Sequence, residues 1–257
     1  MDVFAIDLTT LLPFIAIGFA AQAVDGALGM AFGVITNTAL VVLLGLPPAT
    51  ASAKVHLVES ATTAVSGISH FLHGNIEWSL FWRLLVPGLI GGVTGAYLLS
   101  NVDAGAVKPF VLAYLTLIGL WLLVRGVFYP PKFARPRIVA PLGLIGGFLD
   151  AAGGGGWGPV VTSNLLVQGA EPRKVVGTVN SVEFFLTVAV SVTFLLNIGF
   201  AELAAPAIGL LIGGLAAAPF GAIMAKRLPA RTMLILVGVV LTITSVFALG
   251  KTAGVWG

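Results

Sequence analysis

The chain has 257 residues, of which 58% are hydrophobic and only 9% charged, and its mean hydropathy is +1.07. Soluble domains carry about 25% charged residues, so an ordinary soluble protein is excluded and a polytopic membrane protein is implied. The net charge of +3 and pI near 9.5 would suggest nucleic acid in a soluble chain, and the zero cysteines exclude disulfides, thiol chemistry and Cys-based metal sites.

Unpaired backbone groups are so costly in hydrocarbon that spans must be helices or a closed barrel. The apolar runs here are continuous rather than alternating, which selects helices. The N-terminus, "MDVFAIDLTTLL", is acidic and lacks the basic stretch of a signal peptide, so the first segment is expected to stay in the mature chain. In chain order the predicted segments are 8–24, 29–46, 48–72, 78–100 and 105–128, then 138–151, 156–169, 173–197, 202–225 and 231–250. The Pro-rich basic stretch "YPPKFARPR", 129–137, separates the two sets.

The sets are related. Asp25 aligns with Asp150 at an offset of 125, and "LPPATASAKVHLVESATTAVSG" aligns with "AEPRKVVGTVNSVEFFLTVAVS" at 124. There His56 meets Asn180, Glu59 meets Glu183 and Thr63 meets Thr187. Five segments per half is an odd number, so the second repeat enters the membrane upside down, an architecture of secondary transporters. The expected layout is a first membrane repeat over 1–128, a connector over 129–137 and an inverted repeat over 138–257. Basic residues crowd the loops after segments 3, 5, 7 and 9, from Arg83 through Arg231, against Lys54, Lys108 and Lys251 on the other side. This asymmetry predicts a cytoplasmic connector and both termini outside, whether segments 1–2 and 6–7 span or re-enter.

The stretch "GGFLDAAGGGGWGPVVTSNLL", 146–166, breaks the pattern with an aspartate and four consecutive glycines. The segment after it holds about 14 residues, ~21 Å at ~1.5 Å per residue, short of a ~30 Å hydrocarbon core. It reads as a half-helix starting inside the membrane, with Pro159 near its start. Gly154, Gly155 and Gly156 would leave amides at the positive end of a helix dipole, an anion site. The repeat supplies a counterpart in "GALGMAFG", 26–33. Close helix packing is the alternative for the glycines, and it is preferred for "GLIGG" and "LIGGVTGA".

Segment 3 sets Ser52, His56, Glu59, Thr63, Ser66 and His70 on one helix face, and segment 8 does so with Asn180, Glu183, Thr187 and Ser191. Intramembrane charge faces a cavity or a partner. A carboxylate in low dielectric holds its proton more readily, which suits proton carriage. Glu59, Glu183, Asp25 and Asp150 are therefore the expected proton-coupling residues, with static helix struts the alternative for the glutamates and capping of half-helix amides that for the aspartates. The expected anion contacts are Asn37, Thr38, Lys54, His56, Trp157, Thr162, Ser163, Asn164 and Asn180 beside the glycines. Lys54, near a segment end, could instead snorkel to the interface. His70, His73, Trp78, Trp82 and Trp256 read as interfacial.

With these residues assembled, the chain resembles the TauE/SafE family of membrane permeases. The carrying stretches are "GFLDAAGGGGWGPVVTSNLL", "EPRKVVGTVNSVEFFLT" and "GLPPATASAKVHLVESATTAVSGISHFLHGNIEW", within a two-half layout covering essentially the full length. The first half departs from the glycine signature, with Leu28, Met30 and Ala31 facing glycines. The resemblance implies sulfur-containing anions as substrates, such as sulfite and organosulfonates, with export the usual direction, in a bacterial inner membrane. The residues by themselves imply only a small anion.

The expected function is thus an alternating-access, proton-coupled anion transporter of all-α fold with two inverted repeats. An anion channel using the same half-helix site is the alternative. No catalytic residues, cofactor or metal are expected: an intramembrane serine protease would need a nucleophile elbow that "GGWGPVVTS" lacks. No nucleotide-binding G-x-x-x-x-G-K-[ST] occurs. The expected partners are the anion, protons and the bilayer, without nucleic acid, and a homo-oligomer is compatible with the sequence.

Overall fold

Long apolar runs punctuated by Gly and Pro fold as helices, whose backbone bonds are all satisfied within the segment. The computed structural model describes residues 8–44, 46, 48–99, 108–129, 133–153, 155–198, 205–252 and 254–255. Among these, ten helices follow one another. They are α1 (Leu8–Leu28), α2 (Phe32–Leu44), α3 (Pro48–Leu72), α4 (Trp78–Leu99), α5 (Lys108–Phe128), α6 (Ala140–Gly153), α7 (Gly158–Val167), α8 (Pro172–Ile198), α9 (Ala205–Arg227) and α10 (Ala230–Thr252). Every predicted segment is present, with ends within four residues.

Among the described residues α1, α4, α8, α9 and α10 are long and apolar enough to cross a membrane. At 25 residues α3 is also long, roughly 37 Å, but its polar stripe lowers its hydropathy. By contrast α2 has 13 residues and α6 has 14, about 20 Å each, and α7 only ten, about 15 Å. These short helices flank the two breaks.

Helix α1 packs along α9 and α6 along α4; α3 crosses α8; α5 lies on α10; and α3 touches α9 as α8 touches α4. Exchanging each helix for the one five places along the chain returns this same set of pairings. Small residues permit the closest crossings. A Cβ on Gly91 or Gly95 of α4 would strike the carbonyls of Leu144 or Phe148 in α6, and one on Gly213 of α9 would strike Ile15 of α1. The packing preferred for "LIGGVTGA" is what these glycines do.

The outer faces are apolar. On α4, Trp82, Val86, Ile90, Val93 and Tyr97 recur at helical spacing and are all exposed, as a lipid-facing stripe requires. The stripe of α3 points the other way: Ser52, His56, Glu59, Thr63, Ser66 and His70 are all buried. The helix pair α3 and α8 therefore forms a polar centre inside an apolar shell.

Candidate functional site

The site is built from the two breaks. Between α1 and α2 the chain turns through Gly29 at φ +70° and Ala31 at φ 101°, the latter a strained setting for a residue with a Cβ. Between α6 and α7 it turns through Gly155 at φ +144°, and α7 opens with a π-helical turn, Gly158–Thr162, before continuing as α-helix. The breaks pack backbone against backbone. A Cβ on Gly155 would collide with Gly33 and Val34, and one on Gly158 would lie 2.6 Å from Met30 Cα. Thr162 Oγ1 spans the junction, donating to the Gly29 carbonyl at 2.7 Å.

The amides that open the two short helices are occupied by the protein's own carboxylates. Asp150 Oδ1 accepts from the Trp157 N–H at 2.9 Å, and Asp25 accepts from the Phe32 N–H. Each aspartate therefore caps the residue seven places on. Glu59 of α3 accepts from the next amide of α2, that of Gly33. The Gly155 N–H goes to the Asp150 carbonyl at 3.3 Å. A carboxylate at a helix N-terminus is stabilised by the dipole and by the bonds it accepts.

Asp150 does more than cap. Its Oδ2 lies 3.0 Å from His56 Nε2, with the two side chains 2% and 0% exposed. His56 Nδ1 is 2.8 Å from the Ser52 carbonyl, which can only accept, so Nδ1 carries a proton. The proton between Nε2 and Oδ2 then sits on one partner or the other, and the pair is neutral overall either way. Ser52 Oγ donates to the Ala151 carbonyl at 3.0 Å, tying α3 to the end of α6 a second time.

At the α3–α8 crossing Ser66 Oγ donates to Asn180 Oδ1 at 2.9 Å, and Asn180 Nδ2 reaches the Asp25 carbonyl at 3.4 Å. Thr63 and Thr187, separated by the repeat offset of 124, meet at 3.5 Å. Glu59 and Glu183 flank this contact in sequence, one turn before Thr63 and Thr187, and with Asp25 and Asp150 they make four buried carboxylates. They are at most 4% exposed, and Asp25 Oδ2, Glu59 Oε2 and Glu183 Oε2 find no hydrogen-bond partner.

The residues read from the sequence thus differ in where they lie. Asp25, Asp150, Glu59, Glu183, His56 and Asn180 converge at the breaks. Thr162, Ser163 and Asn164 lie on α7, but their side chains bond to backbone carbonyls: Gly29, Pro159 and Val160 respectively. Trp157 is wholly buried, its ring over Gly88 and Gly146 and its Nε1 donating to the Val179 carbonyl at 3.2 Å, so it is wedged between helices rather than open to a cavity. Lys54 is buried, Asn37 half-buried on α2, and Gly156 packs on Leu149 and Asp150. Gly154, the Thr38 side chain and Trp256 lie outside the described residues.

His70 corrects the interfacial expectation. It is fully buried, Nε2 donating to the Gly26 carbonyl at 2.9 Å and Nδ1 accepting from Asn75 at 3.1 Å. Its place on the α3 stripe, two turns beyond Thr63, was the better signal than its nearness to a loop. Trp78 and Trp82 are exposed, as belt residues are. Gln22, which sequence reasoning passed over, is wholly buried one turn before Asp25, and neither of its polar side-chain atoms has a partner. A lone amide in an apolar helix three residues from a carboxylate was its available signal. At the far end of α7, Arg125 donates to the carbonyls of Leu166 and Val167 at 3.0 and 2.6 Å. A cation there complements the helix dipole and holds the short helix in place.

The family model described as "Sulfite exporter TauE/SafE" matches residues 14–248. A protein of Bacillus subtilis (strain 168), "Probable membrane transporter protein YtnM", is 42% identical over 237 residues, which cover 89% of this chain and 79% of that one. "Probable membrane transporter protein YunE" of the same strain is 29% identical over 115 residues, 44% of this chain and 42% of that one. No solved structure matches the chain significantly.

Proposed function

The chain belongs to the TauE/SafE sulfite exporter family and is a membrane transporter of that type, and from this premise we propose that it is a secondary transporter of a small sulfur-containing anion, such as sulfite or an organosulfonate. Transport is outward, coupled to protons, by alternating access around a site near the bilayer midplane. Residues 1–128 and 138–257 act as inverted repeats about an axis near Thr63 and Thr187, with the connector 129–137 cytoplasmic and both termini outside, in the inner membrane of a bacterium.

One observation carries this reading: two helix breaks pack together inside the apolar shell, and their opening amides meet three buried carboxylates, with Glu183 a fourth buried nearby. Helix-opening amides favour an anion. Carboxylates beside them can exchange protons in the same volume, and two ligands that meet in one place are coupled energetically. The packing of α1 on α9 and of α6 on α4 offers two similar bodies that can rock against the α3–α8 crossing.

The test is thermal unfolding of the purified protein in detergent with sulfite, thiosulfate, sulfoacetate, taurine, sulfate, phosphate and acetate. A native-state ligand raises the melting temperature by mass action. Selective stabilisation by a sulfur anion is expected. If none of these anions raises it, the substrate class is wrong.

A further inference from the structure

The two breaks differ in charge. At the second, both Asp150 oxygens are engaged, by the Trp157 amide and by His56, and the histidine neutralises the carboxylate. At the first, Asp25 and Glu59 hold the Phe32 and Gly33 amides, no cation pairs with either among the described residues, and each keeps one oxygen unpartnered while only 2% exposed. Gln22 shares the α1 face of Asp25, and both its Oε1 and Nε2 are buried without a partner. Buried polar groups are almost always satisfied, so a fully unpaired amide one turn from Asp25 on the same helix face points to a ligand.

We propose that the transported anion binds at the first break, on the Phe32 and Gly33 amides with Gln22 as a further donor, displacing the carboxylates of Asp25 and Glu59, which take up protons from water as it enters. This rests on the transport reading above and deepens it by naming where anion and proton meet. The glycine-rich second break, which the sequence marks as the stronger anion site, is instead the fixed half, held by Asp150 and His56.

An anion and an ionised carboxylate cannot share the same amides in low dielectric, because like charges in contact repel strongly. Proton uptake removes that repulsion and weakens the carboxylate as an acceptor, freeing the amides. The titratable groups facing Asp25 and Glu59 are Glu183 of α8 and Asp150 of α6, with His70 of α3 on the neighbouring Gly26 carbonyl. Lys54 lies more than a turn before Glu59 on α3, α2 contributes no titratable side chain, and α9 none before Lys226. Protonation at the first break is therefore opposed by no cation in direct contact with it among these groups.

The experiment is sulfate and thiosulfate binding to the purified full chain, by calorimetry, between about pH 5 and about pH 8, where neither probe changes charge. Affinity is expected to fall about tenfold per pH unit for each coupled proton. Asp25→Asn and Glu59→Gln should each remove one proton from that slope, whereas Asp150→Asn should leave it intact. Gln22→Leu should weaken binding with the slope unchanged; unaltered affinity there removes Gln22 from the site. Direct proton uptake by the wild-type protein, read in weak buffer as sulfate is added, needs no variant. Binding without uptake, or a slope lost only in Asp150→Asn, overturns the exchange at the first break and leaves the anion reading standing. No binding of either probe or of sulfite overturns both.

Discussion

Replacing Asp150 separates its two jobs. Asp150→Ala removes the acceptor of the buried Trp157 N–H, and an unsatisfied buried donor costs about 1–3 kcal/mol. It also strands His56. Breaking a buried ion pair from one side costs about 3–5 kcal/mol, but His56 can lose its Nε2 proton while keeping the Nδ1–H on Ser52, which lowers this to the scale of one unpaired nitrogen. The two losses together come to about 2–6 kcal/mol. Asp150→Asn behaves differently. Its Oδ1 can still accept from Trp157 and its Nδ2 can donate to a neutral His56, so only the charge assistance is lost, about 1 kcal/mol. Unfolding in mixed micelles, followed by tryptophan fluorescence, reads both variants. Equal losses in Ala and Asn would refute the hydrogen-bond account, as would an Ala variant within about 1 kcal/mol of the parent.

Three more outcomes are expected. Gly91→Ala drives a methyl into the Leu144 carbonyl and should destabilise the α4–α6 crossing by about 1–3 kcal/mol in the same assay, and no change would mean that the helices separate freely there. Gly155→Leu should weaken anion binding, because its side chain would part the two breaks at Gly33 and Val34; unchanged affinity would show that their contact is not part of the site. Glu183→Gln should abolish proton-driven flux while leaving the melting temperature near that of the parent, and normal flux would remove Glu183 from the mechanism.

The ten helices were legible because hydropathy in lipid is a blunt, local signal, and Gly and Pro mark where it stops. The half-helix after the four glycines was legible for the same reason: ten to 14 apolar residues cannot span the core. The stripe on α3 showed through helical periodicity, since the face that holds Glu59 must turn inward. What did not show was which buried group each polar side chain would meet. The His56–Asp150 pair joins residues 94 apart, and no periodicity encodes that contact. Nor does the glycine run reveal that its flattened backbone serves the approach of a second break, at Gly33 and Val34, as much as it serves a ligand. His70 misled because nearness to a loop is a statement about sequence, whereas its burial comes from the carbonyl of Gly26 across the α1 break.

The most direct test is flux of radiolabelled sulfite and thiosulfate in proteoliposomes of known protein orientation, with and without an imposed pH gradient. Saturable flux that accumulates one of these anions against its own gradient when protons flow, and collapses when a protonophore dissipates them, is the predicted result. Flux that never saturates and ignores the proton gradient would contradict coupled transport and leave a channel in its place.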